Sequence, residues 1–141
     1  MQKVSRSFDA IEIGDMAAEQ IEITDFMLDQ YIQISRDNSA IHNCKEAAQN
    51  AGFAERVVHG TLISSLFSAL IGTKLPGNNA LLLEIQCKFH SPAHVGDIVS
   101  VEVSVQDKHE SVECVSLNLI ASRPSGQKLS SGKALVKVRR I

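Results

Sequence analysis

Gly60-Thr61-Leu62-Ile63-Ser64-Ser65-Leu66-Phe67-Ser68-Ala69-Leu70-Ile71 is apolar nearly all the way round a helical projection, interrupted only by small hydroxyl residues, and it stops at Gly72 and Pro76-Gly77. A helix hydrophobic on every side belongs inside a protein. At about twelve residues it is about 18 Å long, too short for a membrane and suited to the centre of a small domain. The carboxy-terminal half of the chain supplies the wrapping. After Pro76-Gly77-Asn78-Asn79 the periodicity becomes alternating, with Val, Ile, Leu or Phe mostly at every second position over residues 80–89, 98–105, 112–121 and 134–138. Turn signals separate these runs at Pro92, Gly96-Asp97, Lys108-His109 and Pro124-Ser125-Gly126. Successive strands with short turns predict an antiparallel sheet, and Ile11-Glu12-Ile13 is the expected fifth strand. The fold class is α+β, one fully buried helix wrapped by about five strands.

Ahead of the central helix, Thr24 is placed to cap a helix through Phe26, Leu28, Tyr31 and Ile32 to Ser35. Residues 43–52, rich in Lys, Glu, Ala and Gln, suit a second short helix that Gly52 ends. The 141 residues, 44% of them apolar, are enough for one core, so residues 1–141 read as a single domain. A net charge of −2 with dispersed Lys and Arg gives none of the basic surface that nucleic acid requires. The amino terminus has no apolar signal core and no later run reaches membrane-spanning length, so the expectation is a cytoplasmic protein without membrane contact. Cys44, Cys87 and Cys114 are widely spaced with no C-x-x-C pair, which argues against a disulfide framework or a zinc site; they read as reduced packing residues. His90 and His94 have metal-ligand spacing only on a helix, and Pro92 between them makes a helix improbable. No metal is expected, and Asp97 reads as a turn residue.

Chemistry concentrates in Ser35-Arg36-Asp37-Asn38-Ser39-Ala40-Ile41-His42 and in His59-Gly60 at the head of the apolar helix. Asp37 and His42 are an acid and an imidazole on one loop, able to converge on one water or one substrate carbon. Gly60 offers a backbone N–H at the positive end of a helix, suited to a carbonyl oxygen gaining negative charge. Each residue also has a plain structural reading. Asp-Asn-Ser sequences fold back on their own backbone, which makes Asp37 a turn residue; Ser64 and Ser68 serve as spacers that bond back within a helix; His59 positions the turn. Leu62, Ile63, Leu66, Phe67, Leu81 and Leu83 suit either an acyl tunnel or plain core.

These motifs, in this order, resemble the MaoC-like (R)-specific enoyl-CoA hydratases of the hot dog fold. The family pattern Gly-Asp-x-Asn-Pro-(Leu/Ile)-His is matched by Asp37, Ile41 and His42; the helix start by Val58-His59-Gly60-Thr61-Leu62; its end by Leu75-Pro76-Gly77; and the later Phe-x-x-Pro-x-x-x-Gly-Asp by Phe89, Pro92, Gly96 and Asp97. Arg36, Ser39 and Ala40 depart from the family's Gly, Asn and Pro, and losing a Gly and a Pro is expected to loosen or re-angle the loop. The resemblance implies a homodimer acting without cofactor on an acyl-CoA or acyl carrier protein thioester. Its carbonyl would bind at Gly60 N–H while Asp37, as base, and His42, holding the water and delivering a proton, add water across the Cα=Cβ bond. Ser68 maps onto a site residue of the family, with Ser39 and His59 supporting the site. Two other readings stay open. A hot dog thioesterase usually carries an acid on or near the central helix, and none lies between Gly60 and Gly72; a non-catalytic acyl-thioester-binding partner subunit is suggested by the departures in the loop.

Overall fold

The computed structural model describes residues 4–140. One five-stranded antiparallel sheet runs in the order β1-β3-β4-β5-β2, where β1 is Met16–Glu22, β2 Ala80–Phe89, β3 Ile98–His109, β4 Cys114–Ser122 and β5 Lys128–Val138. Its concave face carries Val99, Val101, Val103, Val105, Leu117, Leu119, Val136 and Val138, all buried. Against these packs the central helix α4, Gly60–Thr73, through Leu62, Ile63, Phe67, Leu70 and Ile71. The predicted sheet wrapped around a helix is therefore the observed architecture. No helix among the described residues is long and apolar enough to cross a membrane.

The fifth strand lies further along the chain than Ile11-Glu12-Ile13. Ile11 is core, but Glu12 to Asp15 form a turn in which the Asp15 carboxylate accepts the Glu12 N–H at 2.9 Å, and pairing with β3 begins at Met16. The weak alternation of Met-Ala-Ala-Glu-Gln-Ile-Glu hides this edge strand, whose side chains are never fully buried. Three other strands differ from their expected bounds, β4 by starting at Cys114 and not at Val112. β3 continues through Lys108-His109 by way of a bulge between Val105 and Asp107, and the turn is instead the 3-10 segment Glu110–Val112 closed by left-handed Glu113. β5 begins six residues before Ala134, in a stretch whose Ser130-Ser131-Gly132 reads as loop. Gly132 belongs in the strand because a Cβ there would stand 1.8 Å from the Gln86 carbonyl oxygen of β2.

α4 is not buried on every side. Leu62, Ile63, Phe67, Leu70 and Ile71 face the sheet, whereas Thr61, Ser65, Ser68, Ala69 and Gly72 form an exposed stripe of small residues. A single five-stranded sheet curls around only one side of a helix, so its other side stays open in one chain. Leu81 and Leu83 are also about half exposed, 51% and 52%, on β2 at the sheet's edge. Cys44 is exposed and Cys87 half-buried, so of the three thiols only Cys114 is fully packed inside.

The segment before α4 sets up the site. α1, Asp25–Ser35, starts as expected at Thr24, whose Oγ1 accepts the Met27 N–H at 3.2 Å. It ends on Arg36 in the left-handed region, φ 63°, with the Arg36 N–H on the Ile32 carbonyl at 2.8 Å. That conformation costs a non-glycine residue about 1–2 kcal/mol. The loop thus keeps the turn a glycine would make, at some cost in stability. The predicted second helix is two short ones, α2 at Ala40–Asn43 and α3 at Lys45–Asn50, broken at extended Cys44. Ala40 takes the first helical position, the one proline favours, so His42 rides on a helical turn and not on a loop.

Candidate active site

A cleft of about 470 Å³ opens where α2, the head of α4 and the end of β2 meet. Asp37, His42, His59, Gly60 and Thr61 line one side; Phe89, His90, Pro92, Ala93 and Ser130 line the other, with Val57, Val58, Ile63 and Leu129 making it largely apolar. Of the residues proposed as an acyl tunnel, Ile63 alone reaches this wall; Leu62 and Phe67 are core.

Asp37 is exposed, and its carboxylate is organised by Ser39. Oδ1 accepts the Ser39 hydroxyl at 2.6 Å and the Ser39 N–H at 3.2 Å. These two bonds, the hydroxyl first, hold Asp37 below the ordinary carboxylate value of 3.8; slight desolvation opposes them and the nearby His59 and His42 add to them. The turn-forming and chemical readings of Asp37 therefore coincide: the Asx turn that shapes the loop also keeps the carboxylate charged.

His42 is tied from one side only. Its Nδ1 lies 2.6 Å from the Val57 carbonyl oxygen, which can only accept, so Nδ1 carries the proton. In the neutral ring the lone pair is then on Nε2, the nitrogen left for a ligand in the cleft. His42 stacks on His59 with ring centroids 3.7 Å apart and 20° between planes, and Tyr31 covers His59 at 4.9 Å. His59 is buried; its Nε2 donates to the Asp37 carbonyl at 2.8 Å, which pins the acid-bearing loop to the start of α4. Tyr31 in turn donates to Thr61 Oγ1 at 2.6 Å.

One side-chain atom each of Asp37, His42 and His59 lie within 4.8 Å of one another, the single such grouping of potential metal ligands among the described residues. Two of the four ring nitrogens, Nδ1 of His42 and Nε2 of His59, are occupied in donating to carbonyls, an arrangement that orients rings for proton transfer. His90 and His94 go to different partners, Ser131 Oγ at 2.7 Å and the Asp97–Arg123 pair.

Gly60 is the first residue of α4, so its N–H has no partner within the helix, and no side chain caps this end. A Cβ at Gly60 would stand 2.7 Å from the Phe89 ring, which lies across the helix start and is itself 55% exposed. The glycine leaves a narrow slot between ring and backbone. Ser68 lies outside the cleft, two turns along on the exposed stripe of α4, while Ser64 bonds back to the Gly60 carbonyl at 3.3 Å as a helix spacer does.

Two arginines that the motifs do not include hold the cleft in shape. Arg123 donates to the Pro92 carbonyl at 2.9 Å and to Asp97 at 2.8 Å, joining the β4 end to the loop that floors the cleft. Burial alone would raise the Asp97 pKa, but the Arg123 bond and the His94 N–H bring it below the ordinary value. Asp97 is a turn residue that also anchors this loop. Arg56 donates to the backbone carbonyl of His42 at 2.7 Å. The only sign of either in the sequence is a lone cation next to an apolar motif.

The geometry is that of acid/base chemistry beside a helix-terminal N–H, and the chain resembles known proteins over most of its length. The family described as MaoC like domain matches residues 12–120. The chain is 30% identical over 131 residues to a 3-hydroxybutyryl-CoA dehydratase of Methylorubrum extorquens, covering 93% of this chain and 83% of that protein. It is likewise 30% identical over 136 residues to an (R)-specific enoyl-CoA hydratase of Aeromonas caviae, covering 96% and 90%. An unliganded R-hydratase from Pseudomonas aeruginosa shares the fold with a TM-score of 0.92 at 26% identity, over 97% of this chain and 88% of that one. With most of its length matched, its sheet curled over one side of α4 in the hot dog manner, and Asp37, His42 and Gly60 lining one cleft, this chain belongs to the MaoC-like domain family.

Proposed function

We propose that this chain, acting as a single domain, hydrates trans-2-enoyl thioesters to (R)-3-hydroxyacyl thioesters and catalyses the reverse dehydration. The observation that carries this is the placement of the Asp37 carboxylate and the untied Nε2 of His42 on the same cleft wall as the Gly60 N–H. The thioester oxygen sits at Gly60, and a water held between Asp37 and His42 is directed at Cβ. Asp37 is ionised and the Nδ1 proton of His42 is held on the Val57 carbonyl, so the proton is supplied by the water itself. The proton removed from water as its oxygen bonds Cβ is therefore the one returned to Cα, where the electron pair of the double bond receives it. The carbonyl oxygen gains charge midway, and the N–H at the helix terminus stabilises it. The acyl carrier is coenzyme A or acyl carrier protein.

The test follows enoyl absorbance and free thiol in one sample, with chiral analysis of the product. Loss of absorbance without thiol, giving the (R)-3-hydroxyacyl thioester, is the expected result. Stoichiometric thiol release would make the protein a thioesterase, a reading that the absence of any acid from Gly60 to Gly72 disfavours. No change at any chain length would leave the binding-subunit reading.

The working form is a homodimer. β2 is an edge strand with Leu81, Leu83 and Phe89 half exposed, and the open stripe of α4 lies on the concave side of the same sheet. Unpaired apolar edges are a liability that pairing with a second copy removes. Light scattering at micromolar concentration should return twice the chain mass of 15.3 kDa; a monomer mass overturns the proposal.

A further inference from the structure

Arg56 stands three residues before the His59-Gly60 turn, with its side chain only 11% exposed and its guanidinium spread over three acceptors. Nε donates to the His42 carbonyl at 2.7 Å, Nη1 to Asp25 at 3.2 Å and Nη2 to Asp29 at 2.6 Å. Both carboxylates stand on α1, in its first turn and a half. The neighbouring residue completes the attachment. Val57 N–H donates to the Ile41 carbonyl at 2.9 Å, and the Val57 carbonyl receives His42 Nδ1 at 2.6 Å. Residues 56–57 and 41–42 are thus joined by three hydrogen bonds, one to the backbone of His42, one to the residue before it and one to its ring. The 56–57 segment is itself fixed to the cleft floor, since the Arg56 carbonyl accepts Val95 N–H at 3.0 Å and Val57 pairs with His94.

We propose that Arg56 is a positioning residue of this active site: it clamps the α2 turn between α1 and the 56–57 segment, which sets the depth of the His42 ring and keeps its proton on Nδ1. The inference rests on the reading of His42 as a catalytic group. The chemistry requires arginine. Three acceptors in different directions need a rigid planar fork, and a lysine ammonium on a flexible stem cannot hold all three at once. The two carboxylates make the clamp strong where it is attached. Asp25 and Asp29 are 71% and 63% exposed, so as isolated ion pairs they would contribute little; here they orient a guanidinium whose remaining N–H reaches the catalytic turn. Without Arg56, the His42 carbonyl loses its donor, the α2 turn is free to rock on the Cys44 break, and the Nδ1–Val57 bond lengthens.

The test uses Arg56→Met, Arg56→Lys and the double variant Asp25→Asn/Asp29→Asn, with two readouts. The first is the ¹⁵N spectrum of the His42 ring. The wild-type protein should show one tautomer, protonated at Nδ1, and Arg56→Met a mixture with Nε2 protonation. The second is steady-state hydration, where kcat should fall about 10- to 100-fold with KM within about twofold, as expected for a displaced catalytic group on an intact binding surface. Arg56→Lys should resemble Arg56→Met. The double variant, which changes only exposed carboxylates and so stays folded even if a change at Arg56 does not, should shift both readouts in the same direction by less. A folded Arg56→Met protein, or a double variant, whose His42 keeps its single tautomer and full kcat overturns the proposal. A wild-type protein that hydrates no enoyl thioester would refute the catalytic reading instead, and the ring spectrum would still decide whether Arg56 holds His42.

Discussion

Gly60→Pro is expected to lower turnover on an enoyl thioester by about 10²- to 10³-fold, the equivalent of ~2.7–4 kcal/mol for one lost oxyanion donor, with the fold intact. Proline suits this position for two reasons. The first residue of a helix has no intrahelical use for its N–H, and proline is favoured there. His59 before it already has φ −58° and ψ 134°, within the extended region that a following proline requires. The substitution therefore removes the donor and spares the helix. Its steric effect is separable, because any Cβ at Gly60 meets the Phe89 ring at 2.7 Å. Gly60→Ala keeps the N–H and pushes only the end of an exposed side chain, so it should lose far less, and Phe89→Ala should relieve what it does lose. The measurement is kcat/KM for the three variants alongside circular dichroism. If Gly60→Pro and Gly60→Ala fall equally, the slot and not the N–H is what matters.

Asp37→Asn and His42→Gln are each expected to reduce kcat by about 10²- to 10⁴-fold, the contribution of one positioned acid/base group. Neither should unfold the protein. Asp37 is exposed, and an amide oxygen at position 37 can still accept from Ser39; in His42→Gln the side-chain amide can still donate to the Val57 carbonyl. The double variant should be little worse than either single one, since both groups act on one water and their losses are not additive. The pH profile adds a sign. Ser39 holds Asp37 below 3.8, so the acid limb of activity due to Asp37 lies below the usual carboxylate range and the group stays ionised throughout the neutral region. A folded variant of either residue with near-normal kcat would remove it from the mechanism.

Much of this site is legible in the sequence because its parts are local in the chain. Asp37 and His42 are five residues apart, Gly60 begins an apolar helix, and the Thr24 cap and the Pro76-Gly77 stop follow rules of neighbouring residues. The β1 and β5 boundaries are less legible. Met-Ala-Ala-Glu-Gln-Ile-Glu on an edge strand and Ser130-Ser131-Gly132 beside β2 have weak alternation, and their strand state is imposed by neighbours in the sheet. Ser68 shows the limit of spacing arguments. Eight residues beyond Gly60 is close to the same helical face, yet the sheet curls over the opposite side of α4 and leaves Ser68 outside the cleft of its own chain.

The sequence by itself determined the fold class, the central helix and the residue types gathered at its head, because periodicity, caps and turns depend on atoms only a few residues apart. Only the tertiary structure decided which nitrogen of His42 carries a proton, that His59 is stacked beneath it, that Phe89 narrows the approach to Gly60, and that Arg56 ties the His42 turn to α1. Each of these depends on a contact between segments 14 to 31 residues apart in the chain, whose meeting is set by how α1, α2 and β2 pack around α4; hydrogen-bond direction and ring stacking fall off within an ångström or two, and no local pattern encodes a separation that fine.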